Sequence, residues 1–327
     1  MALSTASDIE VLDTAIDPIF ALAKMQKRWP DVVLLDAEMP RMGGLEFLKK
    51  LMAEHPTPVI ICSSASERGA AVTAEAFAAG AVAVFAKQEL GIGGPASPTG
   101  VADLVRSVRA AAGATVRALK PGAQPPPLSF SPSTIIRISK ATDRIVAIGT
   151  STGGTTALEM VLSQLPEKSP GVVVVQHMPP VFTKAFADRL DGLCEVEVLE
   201  AQGGERVMQG RVLIAPGGRH LTIIRRGVEY FAEVTIGAPV NRHCPSVDVL
   251  FRSVAREAGP NATGFLLTGM GDDGARGLRE IREAGGHTFA QDEASCVVFG
   301  MPKEAIKLGA AEVVLPLSEV ARRIVVG

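Results

Sequence analysis

Residues 145–154 have the sequence Ile145-Val146-Ala147-Ile148-Gly149-Thr150-Ser151-Thr152-Gly153-Gly154. Four apolar residues, typical of a buried strand, lead directly into a glycine-rich turn, and a helical pattern begins at Thr155. A serine between glycines at a strand-to-helix turn can be a nucleophile, with the free N–H groups of the helix start behind it. The same residues can instead form a phosphate-binding loop or a plain tight turn. The stretch predicts an α/β domain with Ser151 as candidate nucleophile.

Composition limits the classes of protein that this chain can be. Its 327 residues suffice for two domains, 47% are hydrophobic, and the net charge of -2 argues against non-specific nucleic-acid binding. The sequence predicts neither a signal peptide nor a membrane span. No C-x-x-C occurs, so we expect a cytoplasmic protein with reduced thiols and no metal site. The four cysteines are Cys62, Cys194, Cys244 and Cys296.

A proline-rich segment divides the chain. It contains Pro121-Gly122-Ala123-Gln124-Pro125-Pro126-Pro127, which can continue neither a helix nor a ladder. We predict a linker over residues 113–141, with one domain at 1–112 and another at 142–327.

In the first domain, apolar strands alternate with helical patterns. Predicted strands at 32–35, 59–62 and 81–86 end at Asp36, Ser63 and Lys87. Helical patterns cover 45–53, 70–79 and 102–112. The alternation predicts a parallel sheet covered on both faces, where sites form at the carboxyl ends of strands. We therefore expect the carboxylate of Asp36, the hydroxyl of Ser63 and the ammonium of Lys87 to lie close together at this edge of the sheet.

The run Asp36-Ala37-Glu38-Met39-Pro40-Arg41-Met42-Gly43-Gly44-Leu45 resembles the phosphoacceptor strand and loop of a response-regulator receiver. The resemblance implies a flavodoxin-like fold with Asp36 as phosphoacceptor. It also implies Ser63 as switch hydroxyl, Lys87 as phosphate contact and a histidine kinase as phosphodonor.

The first domain departs from the receiver pattern at its start. Residues 9–14 are predicted to be the second receiver strand, so the first strand and helix are missing. The acidic pair that holds a cation such as Mg²⁺ in receivers has no counterpart near Met1. This argues against Mg²⁺ binding and against phosphorylation of Asp36. The domain is either a degenerate docking module or has its start codon assigned too far downstream.

The second domain repeats the alternation. Strands are predicted at 145–148, 172–176, 212–214, 264–267 and 287–290, helices at 155–165, 183–190, 246–258 and 274–284, and a hairpin at 221–234. A nucleophilic serine needs a base and an orienting acid.

The positions of the histidines relative to the predicted strand ends limit which of them can be the base. His177 follows its strand, as Ser151 does, whereas His287 begins a strand at the opposite edge. His220 and His243 lie in predicted loops and remain candidates for substrate contacts. Spacing does not choose among the candidate acids Asp272, Asp273 and Asp292, and either Asp272 or Asp273 can instead cap the helix that begins near Gly274.

This domain resembles the catalytic domain of the chemotaxis protein-glutamate methylesterase family, CheB. The resemblance rests on residues 149–154, Gln176-His177-Met178-Pro179, Pro245-Ser246-Val247-Asp248-Val249-Leu250-Phe251, residues 268–275 and Cys296-Val297-Val298-Phe299-Gly300-Met301-Pro302. It implies a Rossmann-like fold and a triad of Ser151, His177 and Asp273. The implied oxyanion hole consists of the backbone N–H groups of Thr152 and Met270.

The resemblance also implies the reaction. Glutamyl methyl esters of chemoreceptors would be hydrolysed through an acyl-enzyme without a cofactor, receptor glutamines would be deamidated, and the receiver would gate the cleft. Arg242 and His243 would belong to the substrate cleft. Two alternatives are a methylesterase of a signalling array outside chemotaxis and a nucleotide- or phosphate-binding module.

Overall fold

The structure is a computed structural model and describes residues 3, 6–38, 43–91, 98–116, 128 and 144–326. The chain forms two compact units, Met1–Ala123 and Gln124–Gly327. Most of the predicted linker lies outside the described residues, as does part of the run after Asp36. Among the described residues, no helix has the length and apolar character needed to cross a membrane.

The first unit contains a parallel sheet with the order β1-β2-β3. The central strand is buried along its whole length, as expected for a strand covered on both faces. The strands predicted at 32–35, 59–62 and 81–86 and the helices predicted at 45–53, 70–79 and 102–112 are confirmed, with ends shifted by up to four residues, whereas the first helix was not predicted. Its strands are β1 (Val33–Asp36), β2 (Val59–Ser63) and β3 (Ala83–Ala86), and its helices are α1 (Pro18–Met25), α2 (Gly44–Glu54), α3 (Glu67–Ala78) and α4 (Pro98–Ala112).

The prediction of a strand at residues 9–14 is wrong. This segment has no regular structure, and within the described residues no strand pairs with the outer edge of β1. A strand needs a ladder partner to satisfy its backbone groups. The segment is instead held by surface ion pairs of Asp8 with Arg109 and of Glu10 with Arg28.

The second unit is built on a parallel sheet with the order β13-β12-β11-β4-β5-β8-β6. Its two central strands, β4 and β5, are buried at every residue, so both faces of the sheet are covered. The sheet strands are β4 (Ile145–Thr150), β5 (Gly171–Gln176), β6 (Glu197–Glu200), β8 (Arg211–Ile214), β11 (Ala262–Leu266), β12 (His287–Gln291) and β13 (Val313–Leu315).

A smaller antiparallel sheet adjoins it, with the order β7-β10-β9, and it contains the predicted hairpin. Its strands are β7 (Arg206–Val207), β9 (His220–Arg226) and β10 (Glu229–Thr235). The helices of this unit are α5 (Gly154–Leu162), α6 (Phe182–Asp191), α7 (Val247–Ala258), α8 (Ala275–Glu283), α9 (Met301–Lys307) and α10 (Leu317–Val326).

The order of strands fixes where a site can form. The chain leaves β4 toward β5 on one side and returns as β11 on the other side. The carboxyl end of β4 is therefore a topological switch point, where open parallel sheets form their ligand crevices. Ser151 is the first residue after β4.

Candidate active site

The register of β4 and β5 places Ser151 beside His177. Thr150 pairs with Gln176, and the next residue of each strand is Ser151 and His177. His177 N donates to Thr150 O at 3.1 Å. The Gln176 amide donates to Ser151 O at 3.0 Å and to His177 O at 2.9 Å. Both strand ends are thus locked together by backbone and amide hydrogen bonds.

The turn after Ser151 can be made only by small residues. Gly153 has φ +77, and a Cβ there would lie 2.7 Å from Val297 Cγ2. A side chain at this position would be strained and would clash. Directly after the turn the chain enters α5, which begins at Gly154.

The imidazole of His177 connects this edge to Asp273. His177 Nε2 lies 2.8 Å from Asp273 Oδ2, and the His177 side chain is 7% exposed. Its other ring nitrogen, Nδ1, is buried without a hydrogen-bond partner in the described part of the chain. Since Nε2 faces a carboxylate, it carries the proton, and Nδ1 is the ring nitrogen available as a base.

Asp273 is a buried carboxylate, 1% exposed, which lies in the loop before α8 and accepts hydrogen bonds from the first backbone N–H groups of α7. Burial alone would raise its pKa. The hydrogen bond and charge of His177, with further donors, outweigh burial and hold the pKa of Asp273 well below its usual range. Oδ1 accepts from Asn241 Nδ2 at 2.8 Å, Ser246 Oγ at 2.8 Å and Asp248 N at 3.2 Å, and Oδ2 accepts from Val247 N at 2.7 Å.

The other two candidate acids lie in different surroundings. The Asp272 side chain is 48% exposed, 4.0 Å from Arg276. Asp292 Oδ1 accepts from the backbone N of Ser295 at 3.0 Å, which is a local turn contact. Of the three, the structure brings only Asp273 to His177.

The other three histidines of this unit have different surroundings, and of these three His243 stacks on His177. The His243 ring stacks on His177, with centroids 3.7 Å apart and planes 6° apart. The prediction of a loop position for His220 is wrong. His220 begins β9, is 5% exposed, and its Nδ1 accepts from Ser246 N at 3.2 Å. His287 begins β12 and pairs with Glu312 at the surface.

Two backbone N–H groups near Ser151 are those of Thr152 and Met270. Within the described residues, neither Thr152 N nor Met270 N donates a hydrogen bond. Gly269 brings this backbone close to the serine, since a Cβ on Gly269 would lie 2.7 Å from Ser151 Cβ. The pair suits an oxyanion developing on a carbonyl attacked by Ser151.

Three residues that donate hydrogen bonds to Asp273 were not predicted as site residues: Asn241 and Ser246 donate from their side chains, and Asp248 donates from its backbone N. Ser246 was predicted as the start of a helix and as part of a run that carries the family resemblance. Asp248 carried a usable signal, because it interrupts the apolar positions Val247 and Leu250 of a helix that packs inward, and it is 0% exposed. An acid on a buried helical face needs partners.

The first unit brings two of its three predicted residues together. Lys87 Nζ lies 2.7 Å from Asp36 Oδ1 and 3.2 Å from Glu38 Oε2. Burial by itself would lower the pKa of Lys87, but its hydrogen bonds to Asp36 and Glu38 raise it. The Ser63 hydroxyl donates instead to Gly69 O at 3.1 Å. Ser64 is the hydroxyl in this cluster, and it donates to Glu38 Oε1 at 2.8 Å.

The receiver fold implies a divalent cation near Asp36, but the described residues do not fit one. The ammonium of Lys87 lies against both carboxylates that could act as ligands. No cluster of three metal-ligating side chains occurs in the described ranges, whereas Mg²⁺ requires oxygen ligands in octahedral geometry.

The second unit thus has the form of a serine esterase on a parallel α/β sheet, with serine, imidazole and buried carboxylate at adjacent strand ends. Residues 146–324 match the family model for CheB methylesterase, and residues 2–90 match that for the response regulator receiver domain. The chain belongs to the CheB methylesterase family.

Relatives match along nearly the whole chain. It is 57% identical over 334 residues to "Protein-glutamate methylesterase/protein-glutamine glutaminase 1" of Xanthomonas oryzae pv. oryzae, covering 99% of this chain and 95% of the relative. Identity to "Protein-glutamate methylesterase/protein-glutamine glutaminase 2" of Dechloromonas aromatica is 56%, covering 99% and 92%.

A solved structure supports the fold of the second unit. The crystal structure of the Thermotoga maritima CheB methylesterase catalytic domain is similar with a TM-score of 0.54 and 41% identity. The match covers 56% of this chain and 97% of that one.

Proposed function

We propose that this chain hydrolyses the methyl esters of glutamyl side chains on chemoreceptors, releasing methanol, and that it hydrolyses the amides of receptor glutamines. The contact between His177 Nε2 and Asp273 Oδ2, 2.8 Å long, carries this proposal. It leaves Nδ1 of an almost buried imidazole free at the strand end next to Ser151.

The first step acylates the enzyme. His177 Nδ1 takes the hydroxyl proton of Ser151 while Oγ attacks the γ-carbonyl carbon of the glutamyl ester. Asp273 holds the other ring nitrogen and stabilises the imidazolium. The carbonyl oxygen becomes an oxyanion beside Thr152 N and Met270 N, each worth about 3 kcal/mol of transition-state stabilisation.

Collapse of the tetrahedral intermediate completes the acylation, and hydrolysis follows. The imidazolium gives its proton to the leaving methoxide, methanol departs, and the acyl-enzyme remains. A water then attacks the ester carbonyl, His177 removes its proton, and Ser151 leaves as a protonated hydroxyl. With a glutamine, the first leaving group is ammonia, and the same acyl-enzyme follows.

The proposal makes a methylated chemoreceptor the partner of the second unit and places the reaction in the cytoplasm. A histidine kinase would be the phosphodonor of the first unit if that unit functions as a receiver. We assign no phosphoryl-transfer step to Asp36, since its surroundings do not fit a cation. Incubation with phosphorylated kinase, and with the Asp36→Asn variant as control, tests for transfer.

The deciding experiment measures methanol release from methylated receptor. Wild-type protein should release methanol, and Ser151→Ala should release none while keeping its circular dichroism spectrum and melting temperature. Equal turnover by both proteins would remove Ser151 from the mechanism. No turnover by wild-type protein, together with stabilisation by nucleotide, would favour a binding module.

A further inference from the structure

A tight turn at residues 240–243 touches both His177 and Asp273. Val240 and His243 exchange backbone hydrogen bonds of 3.0 and 2.9 Å, and the two residues between them have positive φ. This is the geometry of a two-residue hairpin turn with φ positive at both central positions. From it, the His243 ring stacks on His177 and the Asn241 side chain reaches Asp273.

Asn241 bridges two buried carboxylates. Its Nδ2 donates to Asp273 Oδ1 at 2.8 Å and to Asp248 Oδ2 at 2.7 Å. Asp248 and Asp273 are 0% and 1% exposed. Two like charges in a buried site repel strongly, and one amide with two N–H groups can satisfy both.

Without the Asn241 amide, Asp273 would keep more hydrogen-bond donors than Asp248. Asp273 would keep Ser246 Oγ and two backbone N–H groups. Asp248 Oδ2 would be left with Arg252, which is 3.7 Å away, while its other oxygen keeps the backbone N of Gly277. Removal of Asn241 would therefore leave Asp273 in place but unscreened from its neighbour.

We propose that Asn241 is a positioning residue for the reaction: its amide screens Asp273 from Asp248 and thereby sets how strongly Asp273 holds the protonated form of His177. The inference rests on the proposed function of His177 and Asp273. Its direction follows from charge, because a carboxylate with fewer hydrogen-bond donors attracts the imidazolium more strongly. Without Asn241, His177 therefore stays protonated to higher pH, and a smaller fraction of the protein carries the unprotonated imidazole on the acid side of the titration.

Other ionisable groups face the site from several elements. They are His243 on the turn, Asp248 and Arg252 on α7, His220 behind Ser246, and Asp272 in the loop of Asp273. Of these groups, Asp248 loses a hydrogen bond when Asn241 is replaced, so its pKa, which burial already raises, rises further.

The test uses Asn241→Gly, since glycine adopts the φ of +51 at this position without strain. NMR titration of the His177 ring, identified by its absence in His177→Gln, should show a pKa about one unit higher than in wild-type protein. The acid limb of kcat/KM for methanol release should move to higher pH by the same amount.

A second variant reverses the effect. In Asn241→Gly/Asp248→Asn the neighbouring charge is gone, so the His177 titration should return toward the wild-type value. An Asn241→Gly protein that titrates like wild-type protein overturns the inference, and so does a double variant that keeps the shift.

A matched control separates positioning from stability. Ser253 is buried on α7, the helix that carries Asp248. Its hydroxyl accepts a hydrogen bond from Ile223 N at 2.9 Å and has no hydrogen bond with Asp273. Ser253→Ala should lower the melting temperature but leave the His177 titration unchanged, and an equal shift there would overturn the inference. The titration needs no turnover, so its outcome is independent of whether wild-type protein releases methanol.

Discussion

The rings of His243 and His177 lie face to face, 3.7 Å apart and within 6° of parallel. The stacked ring covers one side of an imidazole whose two nitrogens have different tasks. It restricts rotation of His177 without using either nitrogen. His243 therefore contributes to the site through its shape.

Two substitutions of His243 distinguish the effect of its stacked ring from an effect of its ring nitrogens. His243→Phe should keep most of kcat, because a phenyl ring also stacks on His177. His243→Ala should lower kcat roughly tenfold, since a loosely held base spends less time in the reactive geometry. Steady-state methanol release measures both. Equal losses in the two variants would instead mean that a nitrogen of His243 takes part directly.

Asp273→Asn should reduce kcat by roughly 10⁴-fold, because the new amide favours the wrong tautomer of His177. The amide also places N–H donors against Asn241 and Ser246, which are donors themselves. The matched control is Asp272→Asn at the neighbouring exposed carboxylate, which should keep kcat within about twofold, in line with ordinary surface substitutions. A comparable loss at both positions would contradict the assignment of Asp273.

Gly269→Ala should have a larger effect on kcat than on the free energy of unfolding. The added Cβ would approach Ser151 Cβ to 2.7 Å, so the nucleophile must move relative to Thr152 N and Met270 N. The loss of one oxyanion donor alone costs a factor of roughly 10² to 10³. Gly192→Ala is the control, since its Cβ would meet nothing closer than 3.6 Å. Full activity of Gly269→Ala would rule out close packing at this point.

The two buried carboxylates should affect acid stability in opposite directions. The pKa of folded Asp273 is lowered, so its stabilisation is present above the unfolded pKa of about 3.9 and is lost as pH falls toward the folded value. Burial is the main cause that raises the pKa of Asp248, so its protonation stabilises the fold as pH falls.

Urea unfolding between pH 7 and pH 3 checks this pair. Relative to wild-type protein, Asp273→Asn should lose less free energy of unfolding on acidification, and Asp248→Asn should lose more. Identical pH slopes for the two variants would show that neither carboxylate has the inferred environment.

Much of the active site follows from strand ends that the sequence reveals. The continuous run Val172-Val173-Val174-Val175 predicts a buried parallel strand, and its end predicts the position of His177 beside Ser151. The edge strand β6, with its charged residues Glu197 and Glu200, lacks such an apolar run, and it was missed for that reason.

The choice of acid could not be made from local sequence. Asp272 and Asp273 both follow β11, and they differ in what the remote segment at 241–248 donates to them. The strand predicted at residues 9–14 failed for a related reason, since a strand depends on a neighbour that local pattern does not reveal.

The pairing of β11 with β4 aligns Ala262 with Ile145, residues that are far apart along the chain. The pairing of β4 with β5, which sets Ser151 beside His177, joins segments much closer in sequence. The site therefore combines a nearby pairing with one that closes a loop of more than a hundred residues, and closing that loop costs entropy. A fragment that ends before β11 would contain the serine and the imidazole but not the carboxylate.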